Sequence, residues 1–443
     1  MTDRKHLAEW VLERVGDRAE ADVRISGGPS SLTRFANSFI HQNVGEDADT
    51  VTLRVVSGGR VASGTTTYLD SDALGRFVDE TIERCAYSPV DETWPGLAEP
   101  ADAQAVDHHD DATATASPAD RARMVAEFVA AGEGMRAAGY CQTSDTSVVF
   151  ANSNGVRRDG RYTQATLDGI HQTDTSAGSG HATSVRLGDL DGAAVGALAA
   201  QRARDSAATY DIKPGEYEVV LAPECAATIG IFLAFYGFNG KAHLEGQSFV
   251  ELGEQQFDAA FALVDDVSDP RAMGVGFDTE GTPRLRTELV TDGVSRAVAH
   301  DRRTAAKAGT SSTGHAIPGS EIYGPVASAM FITGGGADPE TLIADVERGL
   351  YVSTFNYCRV LDPKSMAVTG LTRNGTFMIE NGQITGAVNG LRFTQSFTEA
   401  LGQSRMLGLG NDARWADSEF GPGLVHAPTI RLAGWNFTGG SHG

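Results

Sequence analysis

The sequence predicts an α+β protein. An N-terminal α+β module of two similar helix–strands–helix halves leads into a mainly antiparallel β C-terminal domain with a buried central helix. Three observations carry this. Helix and strand patterns recur in the same order over residues 117–210 as over 1–90. Asn-Gly pairs punctuate short alternating segments between Met366 and Phe397. The stretch 219–246 holds a helix that is apolar nearly all round. At 443 residues the chain exceeds one simple core. It divides as 1–210 and 211–443, with the first part split into halves of about 1–90 and 117–210 by a linker at 88–116.

The first helix is expected over 3–15, where Leu7, Trp10 and Val11 give an apolar face. Strands follow at 21–25, 32–39 and 51–56, and a second helix at 71–85 with a Ser71/Asp72 cap. In the second half, Ser117-Pro118-Ala119-Asp120 is a capped helix start, read to about Ala138. Strands are predicted at 141–150, 156–164 and 165–172, with Asn154-Gly155 and Asp159-Gly160 as turns, then a helix from Asp191 to about Ala208. The tetrapeptide Phe-Ala-Asn-Ser occurs at 35–38 and again at 150–153. Sliding the chain by that offset lays helix on helix, which supports a duplication. A second match, Ile-His-Gln at 40–42 and 170–172, falls in a different register. The linker is rich in Pro, Asp and Ala and reads as a surface connection, with His108-His109 inside a solvated polar tract rather than a metal site.

In the second part, Val219–Leu221 is a short strand. Pro223 and Glu224 then open the central helix, which runs to about Tyr236 and is stopped at Asn239-Gly240. Strands around Leu289 and 294–298 are joined by Asp292-Gly293, and a short helix is expected at 302–308. Asn374-Gly375, Asn381-Gly382 and Asn389-Gly390 are read as hairpin turns of a meander, followed by a short helix near 398–403 and a Gly-rich tail.

A formal charge of −22 disfavours nucleic acid, since phosphate binding needs clustered Lys and Arg. The pairs Arg157-Arg158 and Arg302-Arg303 read as solvated. The longest uncharged apolar run, Cys225 to Phe238, is too short to span a membrane, and the N-terminus shows no secretory core. Four scattered cysteines without a CxxC pair fit reduced thiols, so a cytoplasmic location is expected.

No catalytic site assembles from residue types alone. None of the eleven His lies in a zinc-hydrolase frame on a helix, and G-x-S-x-G is absent. Cys225 near a helix N-terminus is a conceivable nucleophile, though a buried structural thiol is the preferred reading. Asp278 and Glu280 form either an acid/base pair or, more in keeping with a Gly-rich loop, turn formers and caps.

The segments LTRFANSFIHQN (32–43), VVLAPE (219–224), FDTEGTP (277–283), TDGV (291–294), STGHA (312–316) and FMIENGQI (377–384) resemble the TldD/PmbA family, in family order and over nearly the whole chain. The family comprises peptide-degrading metalloproteases, also labelled modulators of DNA gyrase. Its TldD-type subunits carry H-E-x-x-x-H on the helix after the VVL strand and a Cys near the C-terminus as third zinc ligand. The corresponding frame here puts Ile231 and Phe232 at the first His and the Glu, and Tyr236 at the second His. No cysteine follows Cys358. The resemblance therefore implies a PmbA/TldE-type subunit with no catalytic residue and no metal of its own. Zinc is expected in a TldD-type partner with which it forms a heterodimer acting on small or unfolded peptides, and a homodimer is possible in isolation. Alternatives are an autonomous hydrolase with a non-zinc nucleophile, or a non-proteolytic regulatory protein of the gyrase-modulator kind. Arg34, Asn37, His41, Asp278, Glu280 and His315 are candidate substrate- or partner-facing positions.

Overall fold

A computed structural model describes residues 3–440. Its first sheet comes from two matching halves. Helix α1 (Arg4–Val15) precedes strands β1 (Glu20–Ala36), β2 (Phe39–Ser57) and β3 (Arg60–Thr66), and α2 (Ser71–Tyr87) closes the half. The second half repeats that order with α3 (Pro118–Ala131), β4 (Arg136–Asn152), β5 (Arg157–Gln172), β6 (Ala177–Ser184) and α4 (Gly192–Asp205). The six strands form one sheet in the order β3-β2-β1-β4-β5-β6. The two first strands pair antiparallel at its centre, so the halves meet across the β1–β4 seam. Each Phe-Ala-Asn-Ser ends the first strand of its half, consistent with the duplication register.

Local chemistry sets these bounds. Asp3, Asp70, Ser117 and Asp191 cap the four helices by accepting backbone N–H bonds. The cap of α2 is thus Asp70 rather than Ser71/Asp72, and α3 stops at Gly132, short of Ala138. The strands are longer than the sequence patterns suggest. Residues 156–164 and 165–172 belong to one strand, β5, and Asp159-Gly160 lies inside it. Gly160 is needed there for close approach, because a Cβ would meet Val275 at 2.9 Å.

The linker over 88–116 is tied down rather than loose. Arg302 donates to the carbonyls of Gly96 and Leu97, and Arg303 pairs with Asp91. These arginines are therefore clamps, not solvated charges. His108 is 2% exposed and sits between the carbonyl oxygens of Gly274 and Asp269. The solvated reading of 108–109 is corrected, since the His109 side chain is also withdrawn from water, facing Asp111 and Asp145.

The remaining strands form two further sheets. In the larger, β7 (Gly215–Leu221), β8 (Arg348–Asp362), β9 (Ala367–Glu380), β10 (Gln383–Val388), β11 (Leu391–Ser396) and β12 (Ile430–Gly440) are the main members. Strand order β8-β7-β12-β11-β9 closes into a ring because β8 also pairs with β9. The Gly-rich tail thus supplies a central strand, and Asn374-Gly375 is a bulge within β9 where Ser353 bonds the carbonyls of Arg373, Asn374 and Gly375. A smaller sheet is built from Leu263–Asp265, Thr287–Thr291, Val294–Ser295, Met330–Ile332, Arg414–Ala416 and Val425–Ala427. Helix α5 (Pro223–Phe232) packs on both β8 and the strand Val425–Ala427, and one core joins it to the two sheets.

His426 in that smaller sheet stacks among Phe331 and Trp415. Burial, and then the Arg271 charge, push its pKa down to about 4. The folded state holds it neutral while the unfolded chain protonates near its ordinary value, so its contribution is complete above about pH 6.5 and is lost as pH falls towards 4. Denaturant unfolding is expected to show about 2 kcal/mol less stability at pH 4.5 than at pH 7 from this group. His426→Gln should remove that component, and an unchanged pH dependence would contradict the assignment.

Candidate functional site

Two places carry most of the residues singled out by sequence: the central helix and a cleft between the first sheet and the loop 274–284. Helix α5 begins buried, with Pro223 at its first position and Glu224 paired to Arg414 at 2.7 Å. Burial opposes ionisation of Glu224, yet Arg414 and Arg202 hold its pKa below the ordinary value. After Phe232 the backbone widens into a π turn over Leu233–Gly237, with Phe238 N–H donating to the Leu233 carbonyl at 2.8 Å. The helix ends there, just before the predicted stop, and Asn239 also caps a further short helix, Gly240–Leu244.

The π turn has a geometric consequence. Positions five apart lie about 140° apart around an ideal α-helix, at 100° per residue. An i→i+5 turn draws such positions towards one face, and π-bulges recur at functional sites. Here the turn overlaps the frame 231–236. Ile231 and Phe232 are each 1% exposed, and Tyr236 is half-buried. The Phe232 ring lies 5.6 Å from Tyr236, 6.0 Å from Phe397 and 5.4 Å from Phe420. Hydrocarbon and phenol groups of this kind give a divalent cation no adequate ligand set. Beside them, Phe420, Ile322 and Tyr323 are exposed, and Phe235 contacts Tyr323 and Phe420.

Cys225 is fully buried on the same helix. Its pKa is raised well above the ordinary thiol value, chiefly by burial and then by the Glu224 charge. A thiolate is disfavoured there, which removes the sequence argument for a Cys225 nucleophile.

The cleft is a cavity of about 260 Å³ lined by Arg24, Tyr162, Gln164, Asp278, Arg284 and His315 among others. Asp278 accepts from the backbone N–H groups of Glu280, Thr282 and Ala316 at 2.9 to 3.0 Å, which folds the loop around its carboxylate. Burial and the neighbouring Glu280 charge push its pKa up to about 7 against those three donors. Glu280 caps the helix Arg302–Ala308 by accepting from Arg302 N–H, and its other oxygen lies 3.5 Å from Arg54. Its pKa is also raised, by burial, with Arg54 opposing. His315 has both ring nitrogens engaged, one 2.8 Å from Thr313 Oγ1 and the other 3.0 Å from Asp265. Asp278 and Glu280 thus act as loop former and cap in the free chain.

The structure brings Asp278, Glu280 and His315 into one region. Arg34, Asn37 and His41 do not join them. All three are exposed at the tip of the β1–β2 hairpin, where Asn37 and Ser38 adopt the positive φ values of a tight turn. Arg34 lies ten residues along β1 from the cleft's Arg24, roughly 33 Å at strand rise. Sequence reading missed Arg24, Tyr162 and Gln164, which carry no motif and meet the loop only through the tertiary fold.

Residues 214–439 match the family described as "PmbA/TldA metallopeptidase C-terminal domain". The chain belongs to the TldD/PmbA family. A metalloprotease of Synechocystis sp. is 26% identical over 229 residues, covering 50% of this chain and 48% of that protein. The chain matches about half the length of this curated relative. Among solved structures, TldE from Thermococcus kodakarensis superposes with a TM-score of 0.86 at 17% identity, covering 98% of this chain and 100% of that one. A modulator of DNA gyrase from Bacteroides thetaiotaomicron gives 0.86 at 20% identity, with 99% of each chain covered. At these identities the structural likeness shows the fold, and the α+β architecture of TldD/PmbA proteins is the one observed.

Proposed function

We propose that this chain is the non-catalytic subunit, lacking the peptidase zinc site, of a TldD/TldE-type zinc peptidase acting on small or unfolded peptides. The observation that carries the reading is the central helix. It keeps the strand-to-helix entry and a π turn suited to ligands five residues apart, while Ile231, Phe232 and Tyr236 fill the ligand positions with packing groups. Zinc and the general base then come from a TldD-type partner carrying H-E-x-x-x-H. The exposed Ile322, Tyr323 and Phe420 beside the π turn offer an apolar surface for that partner. The cleft with Arg24 and Asp278 supplies polar wall rather than chemistry. Among the described residues no helix is long and apolar enough to cross a membrane, and a cytoplasmic location for the chain and its partner is part of this proposal.

The test is reconstitution. The purified chain is expected to leave a fluorogenic unfolded-peptide substrate intact, and cleavage should appear when a TldD-type subunit is added and vanish with a zinc chelator. Zinc-dependent cleavage by this chain alone would overturn the reading.

A further inference from the structure

Asp168, His181 and Asp417 meet where the first sheet touches the second part of the chain. Asp168 on β5 and His181 on β6 are directly opposed in register, and Asp417 follows the strand Arg414–Ala416. One ligand atom from each lies within 4.8 Å of the others. His181 is 7% exposed, and its Nε2 is buried with no hydrogen-bond partner. Its Nδ1 lies 3.3 Å from Asp168 Oδ2. That is long for a charge-assisted hydrogen bond, so Asp168 does not fully satisfy the imidazole, and either ring nitrogen can serve as its one ligand atom.

The charge at this place is out of balance. Among the described residues, neither Asp168 nor Asp417 forms an ion pair with Lys or Arg, and His181 is the one basic group paired to them. Asp168 and Asp417 are both half-buried beside the buried His181. Tyr140 lies opposite Asp168 on β4. Two carboxylates facing one imidazole with an unpartnered ring nitrogen, in a partly dry site, form the electrostatic setting a divalent cation neutralises.

The geometry points to a divalent metal site formed by Asp168, His181 and Asp417, suited to a first-row ion such as Zn²⁺ or Mn²⁺. One imidazole and two carboxylates suit these borderline to hard cations, and three protein ligands leave the remaining positions to water. Bound there, the ion ties β5 and β6 to the segment after Ala416 and so fastens the first sheet to the second part of the chain. The site is independent of the peptidase reading, because none of its ligands belongs to α5.

Protein stripped with EDTA and titrated with ZnCl₂ or MnCl₂ tests this, with uptake measured by plasma mass spectrometry and stability by thermal unfolding. The wild type is expected to take up about one equivalent and to gain at least about 3 °C in Tm. The near-isosteric Asp417→Asn should lose both effects while keeping its circular dichroism spectrum, and His181→Gln should do the same. Equal uptake by wild type and both variants would place the metal elsewhere and overturn the proposal. So would no uptake by the wild type, which would leave a simple His–Asp pair.

Discussion

Replacing Asp265 by asparagine is expected to lower stability by about 3–5 kcal/mol. The carboxylate is 0% exposed and accepts from Arg284 at 3.0 Å, from His315 at 3.0 Å, and from the backbone N–H groups of Ser328 and Ala329 at 2.8 and 2.7 Å. An amide keeps one acceptor oxygen and removes the charge, so Arg284 is left buried without a counterion. The Nε of Arg284 already lacks a partner, which leaves that side chain little to fall back on. The native pKa of Asp265 lies well below the ordinary carboxylate range. Burial alone would raise it, but the charges of Arg284 and His315 outweigh burial. A depressed carboxylate pKa contributes stability that is complete above about pH 4, its unfolded value, and is lost as pH falls below it. Guanidinium unfolding at pH 7 measures the loss, and acid unfolding of the variant should set in less steeply. A difference below about 1 kcal/mol at pH 7 would show that the network re-forms without the charge. Because Asp265 anchors His315 at the cleft, this variant also tests whether the wall of the cleft depends on the small sheet beneath it.

The outline of the fold was legible where local signals agree with tertiary ones. The Ser117 cap, the duplicated order and the Asp292-Gly293 turn, with φ of 51° and 76°, are all local chemistry. The misreadings share a cause, which is that one residue type serves two purposes. Gly160 reads as a turn but makes room for Val275. Asn374-Gly375 reads as a hairpin but forms a bulge fixed by Ser353 on the neighbouring strand. Gly434 sits in β12, where a Cβ would meet Glu216 at 2.0 Å, so the tail's glycines are compatible with a central strand that their composition hides. His108 looked solvated because the carbonyls that hold it are 161 and 166 residues away. The cleft was legible only in its loop, since FDTEGTP carries turn chemistry while Arg24, Tyr162 and Gln164 are ordinary strand residues. The Asp168–His181–Asp417 group had no sequence signal at all, since two ligands are cross-strand neighbours and the third belongs to another sheet.

Phe232→Glu, which installs the family's general-base residue type at the matching position, is expected to cost more than about 5 kcal/mol and to leave little folded protein at 25 °C. Two effects add. Removing the ring forfeits its packing against Tyr236, Phe397 and Phe420, about 3–5 kcal/mol for a buried Phe. The new carboxyl is then placed where the native side chain is 1% exposed, and it must either stay neutral or be buried charged at a further penalty of a few kcal/mol. Phe232→Leu separates the terms. It keeps an apolar side chain and should lose only about 1–2 kcal/mol, with partner-dependent peptide cleavage retained. Soluble yield and denaturant midpoints of the two variants decide the matter, and a Phe232→Glu midpoint within about 1 kcal/mol of wild type would show that the pocket is still built for a carboxylate. Adding His at positions 231 and 236 should not rescue zinc chemistry either, because such sites take three protein ligands. The last cysteine in the chain, Cys358, lies in β8 rather than in the tail and is 1% exposed, with its thiol pKa raised mainly by burial. The helix is packed as a core element, with its aromatic neighbours fitted around Phe232.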